Sequence, residues 1–248
     1  MRPRLDTFRL LGAELHVLRT AHAGLDRGLV RDTVLELKPE AVLLELCEGR
    51  LLTLLAELHG AGERKRGPGR LAGGVLSLAE RLVSRVVGSE LGDDMLGAIE
   101  AAQELGAELV PVDMDVDGIL HRIRVKAPLT ERLKFQVVTL LDALRSVLRP
   151  SKTQRLLSDS VADERTVREM IEWMRRRFPN VTQVLIDERN RVIAENTIEY
   201  LHRSDVDRAV LVIGAAHYGV LDLLREAERE LGDDEDTASG KHEEETAG

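Results

Sequence analysis

The sequence predicts an α/β fold: a central, mostly parallel sheet flanked by helices, with an added helical region in the middle of the chain. Three observations predict it. Two short apolar runs, Ala41-Val-Leu-Leu-Glu-Leu46 and Ala209-Val-Leu-Val-Ile213, have the length and composition of strands buried on both faces. Segments with helical spacing alternate with such runs, which is the βαβ signature of a parallel sheet. Two strands also end alike, in Arg19-Thr-Ala-His22 and Gly214-Ala-Ala-His217. In an α/β sheet the strand ends lie side by side and form the crevice where ligands bind.

In chain order, Thr7 to Arg19 reads as a hairpin turning at Gly12-Ala13. Gly24 to Lys38 has helical spacing and exits at Pro39, a strand follows over 41–46, and Gly49 to His59 is a short Leu-rich helix. Residues 60–74 hold seven glycines and prolines around Glu63-Arg-Lys-Arg66 and read as a solvated loop without phosphate-cradle spacing. Val75 to Val87 and Asp93 to Leu105 are amphipathic helices, and 108–112 is a strand. A helical insertion occupies about 115–180: Val116 to Lys126, Leu129 to Leu148 stopped by Pro150, and Val161 to Phe178 behind the caps Ser158, Asp159 and Ser160. Pro179-Asn180 breaks the pattern, Val181 to His202 is helical, and the strand at 209–213 leads into a helix from Tyr218 to about Leu231. Residues 1–231 thus form a single domain.

With 43% apolar but 2% aromatic residues, the core must be Leu, Val, Ala and Ile. One cysteine, Cys47, excludes an internal disulfide framework and fits a reducing compartment. There is no signal-peptide pattern and no apolar run long enough for a membrane span, so the chain reads as cytoplasmic. The net charge of −9 is uneven. From Asp233 onward seven acids face Lys241 alone, so residues 232–248 read as a disordered acidic tail and the body is near neutral. That balance gives no reason to expect nucleic acid as a partner; a peptide or small-molecule ligand and a homodimer remain open.

The chemistry-bearing candidates gather at the strand ends. His22 and His217 follow strands and small residues, and stiff elements of that kind can fix metal ligands. Glu45 lies inside an apolar run, where a carboxylate is costly unless it is paired or ligates a metal. Its structural reading is an ion pair with Arg50 or Arg189. Arg189, Ile193 and Asn196 share a helix face, which would turn Arg189 inward to hold a carboxylate or oxyanion. Asp113 follows the strand at 108–112 and can face the crevice, whereas Asp115 reads as a helix cap. His16, His59, His121 and His202 read as structural or surface residues. No serine elbow, P-loop or dinucleotide fingerprint is present, and no cysteine nucleophile is expected.

Together these residues resemble the TraB family. It takes in the pheromone-shutdown proteins and, more distantly, the Tiki metalloproteases and the GumN and ChaN/erythromycin-esterase-like group. The likeness runs from about Thr7 to Leu231. It rests on Arg19-Thr-Ala-His22, Glu45-Leu-Cys-Glu-Gly-Arg50, Gly92-Asp-Asp-Met-Leu-Gly-Ala98, Val112 to Arg122, Glu188-Arg-Asn190 and Gly214-Ala-Ala-His217-Tyr-Gly219, in that order. Arg19 replaces a family glycine, Asp94 a glutamate and Met114 an arginine, and an arginine at position 19 would oppose a nearby cation. The resemblance to the Tiki proteins implies metal-dependent peptide hydrolysis. His22, Glu45 and His217 would surround a divalent ion (Mn, Co or Zn), with Glu45, Arg189 and His217 as the catalytic set. Arg50, Asp113, Asn190 and Asn196 would contact substrate. The resemblance to pheromone-shutdown proteins implies instead a non-catalytic regulator that binds a peptide or small ligand in the same crevice.

Overall fold

The computed structural model describes residues 4–20, 27–60, 93–148 and 164–231. His22, most of the glycine-rich segment, the helix expected over 75–87, the caps at 158–160 and the acidic tail lie outside the described residues.

A five-stranded sheet with order β1-β2-β5-β3-β4 forms the centre. Strands β1 (Arg4–Leu10) and β2 (Ala13–Thr20) are an antiparallel hairpin. Its two-residue turn is Leu11-Gly12, one residue earlier than expected, because both residues take positive φ (52° and 83°). That is the type I′ geometry whose twist matches the flanking strands, so Ala13 already belongs to β2. Helix α1 (Arg27–Leu37) leads to β3 (Ala41–Leu44). β3 is two residues shorter than expected, yet the Glu45 N–H still donates to the Val212 carbonyl at 3.1 Å. Helices α2 (Glu48–Leu58) and α3 (Asp93–Leu105) precede β4 (Glu108–Pro111). β5 (Arg208–Gly214) returns to the middle of the sheet, parallel to β2 and β3 on either side. A 3-10 turn (Ala215–His217) and a helix over 219–231, α8, follow.

Side-chain alternation on the central strands sorts the core into two layers. Ala41, Leu43, Leu211 and Ile213 face one apolar cluster, which includes Ile193, Val220 and Leu224. Val42, Leu44, Val210 and Val212 face the other, with α1, α2 and α3. The approach of α1 to α3 depends on Gly97, where a Cβ would come within 2.3 Å of the Arg27 carbonyl oxygen. Backbone cannot yield as a side chain does, so Gly97→Ala is expected to destabilise the fold by about 1–3 kcal/mol. Urea denaturation checks this; an unchanged midpoint would contradict the packing.

Between β4 and β5 the chain builds the helical insertion: α4 (Val116–Lys126), α5 (Leu129–Leu148) and α6 (Glu164–Arg177). Asp115 caps α4 as expected, accepting from the Asp117 and Gly118 N–H groups at 2.8 and 3.3 Å. Helix α7 then runs unbroken through Pro179–Thr182, a π-helical stretch Gln183–Glu188 and Arg189–Arg203. Pro179 therefore opens a helix instead of breaking one, since a first-turn proline gives up no intrahelical bond. Glu131 of α5 satisfies that new N-terminus by accepting from the Val181 N–H at 2.9 Å and Asn180 Nδ2 at 2.7 Å. Ile119, Ile123, Phe135, Phe178, Val181 and Val184 form a smaller core that holds the insertion together.

Candidate functional site

Strand register decides where the site lies. Thr20 pairs with Gly214, Leu44 with Val212, and Leu44 with Pro111, so β2, β5, β3 and β4 end along one edge. Residues just past those ends, Glu45, Asp113 and His217, are thereby brought together. β5 connects to neither flanking strand directly in sequence, which makes this edge the topological switch point of the sheet.

Glu45 continues the alternation of Ala41 and Leu43, so its side chain turns toward α7 and is only 2% exposed. Its Oε1 accepts from Arg189 Nη2 at 2.7 Å, and its Oε2 accepts from the Gly214 N–H at 2.6 Å. Arg189 also grips Asp113 in a fork, Nε to Oδ1 at 3.0 Å and Nη2 to Oδ2 at 2.6 Å. Burial opposes the guanidinium charge, but Asp113 and Glu45 more than reverse that effect and hold Arg189 firmly protonated. The ion pair foreseen as the structural reading of Glu45 is thus formed, with Arg189.

His217, also 2% exposed, sits between two partners. Its Nδ1 is 2.6 Å from Asn190 Oδ1, and its Nε2 is 3.0 Å from Glu45 Oε1. Asn190 packs in turn on Gly219, where a Cβ would lie 2.6 Å from Asn190 Nδ2. Gly219→Ala is therefore expected to push Asn190 off His217 at a stability cost of about 1–2 kcal/mol. Imidazole NMR reads the loss directly; an unperturbed His217 signal would contradict the contact.

Three consecutive residues of α7 are buried because each meets a different neighbour: Glu188 meets α4, Arg189 the strand ends, and Asn190 His217. The π-helical stretch immediately before them sets this register, a device often found at functional sites. Asn196 lies two turns on, and its amide donates to the Val112 carbonyl at 2.9 Å, which holds α7 to the end of β4. Arg50 stands in the first turn of α2, mostly buried, where Asp113, Glu45 and Arg189 all act on its charge. Burial lowers its proton affinity, and those carboxylates only partly restore it. Arg19 pairs with Asp6 of the edge strand at 2.9 Å.

Two parts of the surroundings escaped the sequence reading. Thr20 Oγ1 donates to buried Asp94 Oδ2 at 2.6 Å, tying the end of β2 to the start of α3. The signal was available, since Asp94 lies in the Gly92-Asp-Asp-Met segment on which the resemblance rests. Glu188 is the second. Burial would raise its carboxyl pKa, but hydrogen bonds from Lys126 (2.7 Å) and Arg122 (3.1 Å) hold it below the usual range. A depressed folded-state pKa gives stability that is present above the unfolded carboxylate pKa and is lost as pH falls through the lower, folded value. Thermal melts should therefore show a low-pH decline that Glu188→Gln flattens; parallel declines in both proteins would contradict this.

His217 and Glu45 are the two described side chains whose facing atoms a small cation could meet. Nδ1 of His217 is engaged by Asn190 Oδ1, and Nε2 faces Glu45 Oε1 at 3.0 Å. A histidine nitrogen and a carboxylate oxygen this close share a hydrogen bond when the nitrogen carries the proton, and can flank a small cation when it does not. Asn190 behind His217 and the Gly214 N–H behind Glu45 fix the orientation of the two facing side chains. Among the described residues no group of three or more His, Cys, Asp or Glu is arranged to hold an ion.

Fold and site together define an α/β protein with a buried His–Glu–Arg cluster over the C-terminal ends of its parallel strands. The TraB/PrgY/gumN family model matches residues 12–231, and the chain belongs to that family. It is also 23% identical over 228 residues to the uncharacterized protein MJ1365 of Methanocaldococcus jannaschii. That match covers 87% of this chain but 54% of the relative, so the chain spans about half the relative's length. Among the described residues no helix is long and apolar enough to cross a membrane.

Proposed function

We propose that this chain is a divalent-metal-dependent hydrolase of the TraB/Tiki type, acting on a peptide or small molecule in the crevice over the strand ends. The observation that carries the reading is the facing pair His217 Nε2 and Glu45 Oε1 at 3.0 Å, each fixed from behind. Those two residues and His22, which follows Thr20 by two positions, would hold Mn, Co or Zn. Such an ion supplies Lewis-acid chemistry, acidifying water and polarising a carbonyl. The remaining work falls to the chain itself. Asn190 fixes the His217 tautomer. Arg189 holds Glu45 and Asp113 in place, and presents the positive charge suited to a developing oxyanion. Arg50, in the field of the same carboxylates, is placed to meet an anionic substrate group.

A second reading is favoured by one observation. Both oxygens of Glu45 already accept hydrogen bonds from Arg189 and Gly214, so the cluster is satisfied without an ion, as in a regulator that binds a peptide or small ligand. Hydrolysis of a mixed peptide library by untagged protein, with chelator and then with each ion restored, separates the two. Cleavage that needs the ion supports the hydrolase; ligand binding without cleavage under every condition supports the regulator.

A further inference from the structure

Helix α5 is apolar on two opposite sides. One side packs inward through Glu131 and Phe135. On the other, Leu129, Leu133, Val137, Leu140 and Leu141 form a stripe along successive turns, each 45–58% exposed. Residues 116–177 also carry 14 Lys and Arg against eight Asp and Glu, a net +6 in a chain whose total is −9. The insertion is thus basic and exposes apolar side chains, while the rest of the protein is strongly acidic. On α6, exposed Met170 and Trp173 stand just before Arg175-Arg176-Arg177.

From this combination we infer that the insertion docks on the surface of an anionic lipid bilayer, with the α5 stripe entering the headgroup–acyl boundary and exposed basic side chains such as Arg176 and Arg177 meeting lipid phosphates. Arg175 stays paired with Asp187. Each alternative occupant meets only part of the surface. A second copy would bring a like-charged insertion against this one. The acidic tail beyond Leu231 supplies opposite charge but no large apolar side chain, and a nucleic acid likewise offers phosphates without an apolar interior. Among the described residues the stripe is the outward face of a single helix. An anionic bilayer supplies both charge and apolar depth, and leucines flanked by basic residues and an exposed tryptophan are the side chains that partition there.

The test is flotation of the full-length protein with vesicles of phosphatidylcholine alone and with a third of phosphatidylglycerol. Binding to the anionic vesicles is expected, at least about tenfold weaker on the neutral ones and weakened by salt. Leu133→Gln/Leu140→Gln, with folding verified by circular dichroism, should lose about 100-fold in affinity. Absence of binding to anionic vesicles overturns the inference. Binding unchanged in the leucine variant also overturns it, since the contact would then be a polyanion contact through the arginines alone. A concentration-dependent dimer that the variant abolishes, without vesicle binding, would assign the face to a second copy instead.

Discussion

Arg189→Ala is expected to cost about 3–5 kcal/mol of folding stability, the largest loss from any single site residue. The side chain is 6% exposed and is shared by two carboxylates that arrive from different strand ends, Glu45 beyond β3 and Asp113 beyond β4. Removing it leaves two negative charges close together in a poorly solvated position, each having lost a charge-assisted bond. Replacing a buried ion pair with a well-packed apolar group can be neutral; stripping out one partner is not. Arg189→Lys keeps the charge but loses the planar fork that reaches Asp113 through Nε and Nη2, so it should fall between the wild type and alanine. Chemical denaturation measures all three. An alanine variant as stable as the parent would show that the carboxylates are held by other groups and that Arg189 is not the keystone of this edge.

His217→Ala should behave in the opposite way. It removes a side chain without stranding a charge, because Glu45 keeps both Arg189 and the Gly214 N–H. The cost is the lost packing and the unpaired Asn190 amide, about 1–3 kcal/mol, and the protein should remain folded. Hydrolysis should nevertheless fall by about 1000-fold or more, because the imidazole is half of the facing donor pair on which the proposed chemistry rests. The contrast between the two variants is the expected signature: Arg189 carries stability and His217 carries chemistry. Normal turnover by a folded His217→Ala protein would remove His217 from the mechanism.

Much of this was legible in the sequence because it depends on local signals. The buried strands announce themselves as apolar runs, and Glu45 stands out as a charge inside one. His217 stands out as the polar residue straight after a strand, glycine and two alanines. What could not be read were the partners. The contact of Asn190 with His217 is one, since where α7 crosses the turn after β5 is fixed only by tertiary packing. Asn196 was grouped with Arg189 by helical periodicity, but it is engaged by the Val112 carbonyl. The π-helical stretch also has no residue-type signature, so the helix was expected to start after Pro179-Asn180 instead of at Pro179. Arg19 is a further case: its place in the chain suggested crowding at the site, and its ion pair with Asp6 across the hairpin depends on a strand pairing that no local signal gives.

The most direct measurement is the metal content of protein purified without an affinity tag, set beside a folded His22→Ala/His217→Ala variant. The hydrolase reading predicts about one Mn, Co or Zn per chain, lost in the variant. No ion in either protein, even after incubation with excess divalent metal, would contradict it. The buried cluster would then be a satisfied ion-pair network beneath a ligand-binding crevice.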